Sequence, residues 1–529
     1  MNANTNWHGL KLHFSCSRGA NLFYHVGMAK LPTSLLPAAV SLEGGAGSPL
    51  YRRLYESLRR AILAGQLKPG ARLPSTRDMA AELKVSRNTV LNAFEQLLAE
   101  GYVEGQTGSG TYVSRRLPEE LLNARGSERR VAKRPRPGVR LSRRGEALAA
   151  TSSSVSRTAE GARAFRPGSP AIDAFPFEIW SRLTARHWRR PRRDLLNYGD
   201  PAGHWPLREA IAAYLGTARA VTCEPEQVIV VAGAQQGLDL TARLLLDEGD
   251  AAWVEEPGYL GAKGALAAAG ARLVPVPLDS EGLDVNAGAR LAPSARVIYA
   301  SPSHQYPTGV TMSLARRLKL LEWAGRAGAW VIEDDYDSEY RYAGRPLGAL
   351  QGLAADGRVI YVGTFSKVLF PALRIGYVVV PVELVEAFRS ARALVDRHSP
   401  TVEQAVLADF LAEGHFARHV RRMRALYAAR QEVLLAAAAE ELGGLLEVRP
   451  SDAGLHVLGL LPPGVCDREA SLAAEARGVE AQPLSAFHLK PPARGGLVLG
   501  YAAYDERELR GAVRKLADAL REVTRAAKR

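Results

Sequence analysis

Behind Pro49, Leu50, Leu54, Leu58 and Ile62 recur every fourth residue, while Arg59 and Arg60 fall off that stripe. The spacing predicts an amphipathic helix that Gly65 and Pro69-Gly70 stop. A second helix is predicted from Thr76 to about Leu83, with Ser75 as N-cap and Asp78 in its first turn. Ser86 is placed to cap a third, over 87–98. Residues 101–104 and 111–113 read as two short strands, joined by a turn through Gln106, Thr107, Gly108, Ser109 and Gly110. After residue 161 the pattern changes. Apolar runs at 227–232, 251–255, 296–301, 329–333 and 359–363 alternate with Ala-, Leu- and Arg-rich helical stretches. That alternation predicts an α/β body with a mostly parallel sheet. Residues 1–48 show no clear period and read as a tail. Residues 115–160 are Arg-rich, hold Pro135, Pro137 and a serine run at 152–154, and read as a flexible linker. The expected division is tail 1–48, module 49–114, linker 115–160 and body 161–529.

The 529 residues are 47% apolar, enough to bury sizeable cores, so disorder is excluded as the main state. No apolar run approaches the ~18 residues of a membrane span, and the first thirty residues lack a signal-peptide core. The three cysteines (Cys16, Cys223, Cys466) are far apart and in no metal-ligand spacing, which excludes a disulfide scaffold or a Cys-rich zinc module. A cytoplasmic protein is expected. The net charge of +14 is uneven. Residues 1–150 hold 23 Lys and Arg against 11 Asp and Glu; the rest holds 46 against 44. A basic module on a near-neutral body points to a polyanion partner, most simply nucleic acid.

Helix, turn, helix and hairpin over 49–114 describe a winged helix-turn-helix. Ser86, Arg87, Asn88 and Thr89 at the start of the third helix present forked and hydroxyl groups suited to double-stranded DNA. The stretches Gly65-Gln66-Leu67-Lys68-Pro69-Gly70-Ala71-Arg72-Leu73-Pro74-Ser75-Thr76-Arg77, Val85-Ser86-Arg87-Asn88-Thr89-Val90 and Gly108-Ser109-Gly110-Thr111-Tyr112-Val113 resemble the GntR family of bacterial transcription regulators. By that resemblance Arg77, Ser86, Arg87, Thr89 and the wing at Gly108 would meet promoter DNA.

Five stations in the body carry chemistry. Tyr198 stands in Asn197-Tyr198-Gly199-Asp200, ahead of an amphipathic helix. Ala232-Gly233-Ala234-Gln235 turns a strand into a helix N-terminus, a shape that cradles anions but is common. Tyr259 follows a Pro-Gly turn at a strand end, where it could stack on a flat heterocycle or simply pack. Glu333-Asp334-Asp335 ends another strand. Three adjacent acids are costly to bury without a cation; an exposed loop or a magnesium site would read the same. Last come Thr364, Ser366 and Lys367, then Arg374, which can hold an aldehyde covalently and its phosphate ionically.

In that order the stations resemble the fold-type I aminotransferases, which use pyridoxal 5'-phosphate (PLP). The resemblance spans about residues 161–520 and implies a smaller C-terminal α+β subdomain. It implies that Lys367 forms the internal aldimine and Asp334 pairs with the pyridine nitrogen. Tyr336 would meet the ring hydroxyl and Tyr259 the ring face. Ala234, Gln235, Thr364, Ser366 and Arg374 would hold the phosphate, and Tyr198 would reach the phosphate of a partner subunit. A GntR-type module ahead of such a body, with Ser303-His304-Gln305-Tyr306-Pro307-Thr308-Gly309, is similar to the MocR/GabR subfamily, including its PdxR-like members. That implies a head-to-tail homodimer and a regulator sensing PLP or an amine, not a protein built for turnover. Two departures bear on this. Tyr306 stands where aminotransferases commonly carry Asn, and Val498 stands where many carry the Arg that clamps a substrate carboxylate. Arg494 is the one nearby substitute. The rival readings are a working aminotransferase with a DNA module, and a DNA-binding protein whose body only dimerises.

Overall fold

The computed structural model describes residues 48–106, 109–117, 164–342, 347–354 and 356–527, together with Val40, Leu42 and scattered positions between 141 and 149. By contacts the chain divides into two units, Met1–Gly138 and Val139–Arg529.

The first unit holds α1 (Leu50–Leu63), α2 (Thr76–Glu82), α3 (Arg87–Ala99), β1 (Val103–Gln106) and β2 (Gly110–Val113). The every-fourth stripe does what its spacing implies: Leu54, Leu58 and Ile62 are buried against Met79, Val90, Phe94 and Leu97. Each such side chain contributes ~1.5–3 kcal/mol on leaving water, which holds three short helices that would not persist alone. Ser75 accepts the Asp78 N–H at 3.2 Å and Ser86 the Thr89 N–H at 3.1 Å, so both predicted caps form. The hairpin pairs Val103 with Val113 and Gln106 with Gly110. Its first strand starts later than the apolar pattern suggested, because Gly101 is left-handed (φ 81°) and turns the chain before pairing begins.

The second unit continues with α4 (Phe177–Arg189), α5 (Trp205–Arg219), β3 (Val228–Val231), α6 (Ala234–Leu245), β4 (Ala251–Glu256), α7 (Leu260–Ala268), β5 (Arg272–Asp279), β6 (Gly282–Leu283), α8 (Val285–Leu291), β7 (Val297–Ala300), α9 (Leu314–Ala327), β8 (Trp330–Asp335), β9 (Val359–Thr364) and β10 (Gly376–Val379). Eight strands form one sheet in the order β3-β10-β9-β8-β7-β4-β5-β6. Pairs from β9 across to β5 are parallel; β10 runs antiparallel to both β3 and β9. The strands read as unbroken apolar runs because both faces are covered. Trp253, Ile298 and Val331 pack on one face with Leu320 and Ala324 of α9; Val254, Tyr299 and Ile332 pack on the other with α6 and α7.

The C-terminal part is α10 (Val385–Val395), α11 (Thr401–Ala412), α12 (His415–Glu441), β11 (Glu447–Val448), β12 (His456–Leu460), α13 (Asp467–Glu475), β13 (Gln482–Pro483), β14 (Gly496–Gly500) and α14 (Glu506–Ala527). Its small antiparallel sheet, β11-β12-β14-β13, is the expected α+β subdomain. Phe165 bridges to Gly500 of that sheet, which brings the 166–168 segment to the edge of the large sheet's crevice. Among the described residues no helix is long and apolar enough to cross a membrane.

Candidate cofactor site and DNA-binding helix

A cavity of about 240 Å³ opens at the C-terminal ends of the parallel strands, where an open α/β sheet places its ligands. It gathers nine residues singled out in the sequence: Ala234, Gln235, Tyr259, Asp334, Tyr336, Thr364, Ser366, Lys367 and Arg374. They arrive from the ends of four strands, so each depends on the sheet register for its place.

One end of the cavity is an anion cradle. Gly233 caps α6 at φ 96° with no side-chain cap, so the first-turn N–H groups of the helix, on Ala234 and Gln235, face outward. Glycine suits this position because φ 96° strains any other residue, and a Cβ would crowd the Arg374 guanidinium at 3.2 Å. Arg374 is itself left-handed (φ 52°) and donates to the Ala232 carbonyl. Such strain costs ~1–2 kcal/mol and persists where the surroundings fix it. Thr364 Oγ1 accepts the Ser366 N–H at 3.1 Å, while the Ser366 hydroxyl is buried with no partner.

At the base, Asp334 accepts the Tyr299 hydroxyl at 2.7 Å, and its Oδ1 is buried without a partner. Burial pushes this carboxyl up to about 7, against the lowering by Tyr299. Its neighbours in the acidic run have strong partners, although Asp335 Oδ1 is also buried without one. Asp335 accepts from Arg219 at 2.8 Å and from Tyr361 at 2.5 Å; Glu333 accepts the Leu350 and Gln351 N–H groups. The run is therefore a buried strand end, not an exposed loop, and Asp334 is the acid that looks into the cavity.

Lys367 Nζ donates to the Gly168 carbonyl at 2.9 Å. A Cβ at Gly168 (φ 70°) would lie 2.8 Å from that nitrogen. Desolvation pulls the ammonium down, with Asp337 and Asp334 opposing, which favours the free amine that attacks a carbonyl carbon.

Several residues around the cavity carried no assignment from the sequence. Tyr336 Oη lies 3.0 Å from His304 Nδ1, which in turn lies 3.0 and 3.1 Å from the two oxygens of Asp337. Gly454 (φ 91°) makes room for this pair: a Cβ there would overlap His304 Cε1. The motif containing His304 was visible; that His304 braces Tyr336 was not. Tyr306 stands edge-on to Tyr259, Tyr336 and His456 at 5.1–6.1 Å between ring centres. His456 Nε2 lies 3.2 Å from the Pro307 carbonyl, and burial pulls this imidazole down to about 3. Arg494 does not reach the cavity. Its Nε donates to the Leu461 carbonyl at 2.6 Å and its Nη1 pairs with Glu447 at 3.1 Å, so it does not replace the missing Arg. Tyr198 also lies outside its own chain's cavity, 74% exposed, with the Arg397 guanidinium 4.4 Å from its ring centre.

In the first unit, Arg77, Ser86, Arg87 and Asn88 are exposed along the start of α3 and the preceding helix. Thr89 is half-buried, its hydroxyl 2.8 Å from Ser86 Oγ, so these two residues also serve the cap. Gly108 lies outside the described residues.

Comparison with known proteins agrees with both units. Residues 50–113 match the family model of bacterial regulatory proteins of the gntR family, and residues 178–516 match aminotransferase class I and II. The "Probable rhizopine catabolism regulatory protein MocR" of Rhizobium meliloti is 46% identical, covering 90% of this chain and 95% of that one. The "HTH-type pyridoxine biosynthesis transcriptional regulator PdxR" of Corynebacterium glutamicum is 33% identical, covering 88% and 95%. The crystal structure of LysN, the α-aminoadipate aminotransferase of Thermus thermophilus, complexed with N-(5'-phosphopyridoxyl)-L-leucine, matches with a TM-score of 0.65 at 31% identity, covering 69% of this chain and 94% of that one. The unpartnered Asp334 oxygen, the unpartnered Ser366 hydroxyl and the open helix N-terminus fit the ring nitrogen and phosphate of PLP, the cofactor of this fold. The chain belongs to the MocR-type branch of the gntR-family transcription regulators, a gntR winged helix joined to an aminotransferase class I and II body.

Proposed function

We propose that this protein is a cytoplasmic DNA-binding regulator that holds PLP at Lys367 and senses either that cofactor or an amine. One observation carries the reading. A single buried cavity combines a desolvated lysine, an acid oxygen with no protein partner and a helix N-terminus beside Arg374. In this reading Asp334 takes the pyridine N–H, Tyr336 the ring hydroxyl and Tyr259 one ring face. The Ala234 and Gln235 amides, Thr364, Ser366 and Arg374 hold the phosphate. The cofactor supplies an electrophilic aldehyde carbon that primary amines attack. Lys367 supplies the nitrogen that would hold it.

Tyr198 would reach the phosphate of a second copy. Its exposure supports this, as do the exposed Trp188 and Leu196, which line the same surface cleft. The assembly is then a head-to-tail homodimer. Arg77, Arg87 and Asn88 would meet promoter DNA, with the Ser86 and Thr89 hydroxyls and the Gly108 wing beside them. The Arg-rich 115–160 segment would link module to body and add phosphate contacts. Ligand in the body acts on DNA binding only by favouring one arrangement of the domains over another.

The test is binding of the purified protein to DNA upstream of its own gene, at fixed salt, with and without PLP. Site-specific binding that shifts with PLP or an amine, and a Lys367→Ala variant that binds DNA but no longer responds, are expected. Absence of specific binding refutes the reading. Sustained amine-to-keto-acid turnover abolished by Lys367→Ala would make the protein an enzyme instead.

A further inference from the structure

The charges lining the cavity are accounted for. Its cations are Lys367 and Arg374 and its acid is Asp334. On the functional reading above, all three belong to the cofactor. Arg166, near enough to influence Lys367, lies 3.8 Å from Glu480, and Arg494 is paired with Glu447. Among the described residues no cation remains in the cavity for a second anionic group.

What a ligand's tail meets there is neutral and specific. In the small sheet Leu458 pairs with Val498 and His456 with Gly500, so Val498 shares the ladder face of His456. Leu497 and Leu499 point to the other side and pack in the core. Of these residues the cavity is lined by the His456 imidazole, with Val498 buried on the same ladder face behind it. The imidazole's tautomer is set by its neighbour: Nε2 faces the Pro307 carbonyl, so the proton sits there and is donated to it. Nδ1 is left as a bare lone pair with no protein partner among the described residues. The ring stays uncharged across the physiological range, held down by burial with His304 and Lys367 acting in the same direction. The Tyr306 hydroxyl also lines the cavity with no protein hydrogen bond; burial and its neighbours Tyr259 and Asp337 keep it protonated. A lone pair facing a ligand repels a carboxylate and accepts an O–H or N–H.

We propose that the effector is a primary amine with an uncharged, hydroxyl-bearing tail, an amino alcohol and not an amino acid, with the hydroxyl donating to His456 Nδ1. The inference rests on the reading that Lys367 holds the pyridoxal aldehyde. It adds which amines displace that bond.

The experiment titrates full-length, PLP-loaded protein with three matched amines: 3-amino-1-propanol, β-alanine and propylamine. The readout is the near-ultraviolet and visible absorption and circular dichroism of the Lys367-bound cofactor. The amino alcohol is expected to half-saturate at a concentration about tenfold or more below β-alanine, the factor a difference of about 1.4 kcal/mol gives. It should also precede propylamine by several-fold. His456→Phe should erase the preference over propylamine, and Val498→Arg should turn the preference toward β-alanine. The wild-type ranking decides even where the buried arginine variant fails to fold. β-Alanine binding as tightly as the amino alcohol overturns the inference, as does a cofactor band that none of the amines perturbs. If no band forms and borohydride traps nothing on Lys367, the cofactor reading fails first, and visibly so, and the inference falls with it.

Discussion

On the proposed reading Asp334 is the residue where folding and cofactor binding pull in opposite directions, and Asp334→Asn separates them. In the cofactor-free chain its carboxyl is raised from 3.8 to about 7, chiefly by burial. Above pH 7 it is ionised in both the folded and unfolded states, so only the folded state bears the burial penalty. Below about pH 4 it is protonated in both, and the penalty vanishes. The stability due to this group therefore falls as pH rises from about 4 to about 7, by on the order of 4 kcal/mol. Glu255, Glu333 and Glu339, each raised to about 7 by burial, act with the same sign but are common to both variants and cancel in the comparison. Asparagine keeps an acceptor for Tyr299 and removes the charge. It also places an amide N–H₂ where Oδ1 has no partner, which returns ~1–3 kcal/mol. Cofactor-free Asp334→Asn is thus expected to be more stable than the parent at pH 8 by about 1–3 kcal/mol, a gain that shrinks toward pH 5. With PLP the order is expected to reverse, because a ring N–H would pair with the carboxylate but would gain little from an amide. Thermal unfolding of the body from pH 5 to 8, with and without PLP, reads both effects. A cofactor-free variant no more stable than the parent at pH 8, or a difference that does not change with pH, refutes the reasoning.

Other substitutions test separate parts. Ser86→Ala removes the cap on the Thr89 N–H and is expected to cost the N-terminal unit about 1 kcal/mol in urea unfolding. Arg87→Ala, at an exposed position, is expected to change stability by under ~0.5 kcal/mol yet lower the slope of log affinity against log salt by about 0.9. Gly454→Ala meets both a left-handed backbone and the His304 ring, and should destabilise the body by more than ~1 kcal/mol in the same unfolding assay. Asp337→Asn removes a charge that holds Lys367 up, so the pH midpoint for trinitrophenylation of Lys367 in cofactor-free protein should move down; an unmoved midpoint counts against the assigned geometry.

The N-terminal helices and the parallel strands β4, β7, β8 and β9 were legible because local periodicity states them; β5, with Pro275 and Pro277 in its run, was not. The apolar runs at 251–255 and 359–363 lie within one residue of β4 and β9. β10 was not legible as a strand. Gly376–Val379 follows the Arg374 turn directly, and its antiparallel place between β3 and β9 is a property of topology that a four-residue run does not encode. The same distinction divides the site. Asp334 is the penultimate residue of β8, and Lys367, Ala234 and Tyr259 follow the ends of β9, β3 and β4, so their placement at one end of the sheet follows from the parallel arrangement itself. The His304–Asp337 pair depends on Gly454, more than a hundred residues away, having no side chain. His456 depends on the Pro307 carbonyl for its tautomer and on β12–β14 pairing for facing the same way as Val498. That position 498 holds valine is visible in the chain; that His456 presents its Nδ1 lone pair is not, because the tautomer is fixed by a carbonyl far away in sequence. The residues proposed to hold the cofactor thus sit on the large sheet, where sequence order announces them. The residues proposed to discriminate among ligands sit where the small sheet meets that crevice, and only the folded chain brings them together.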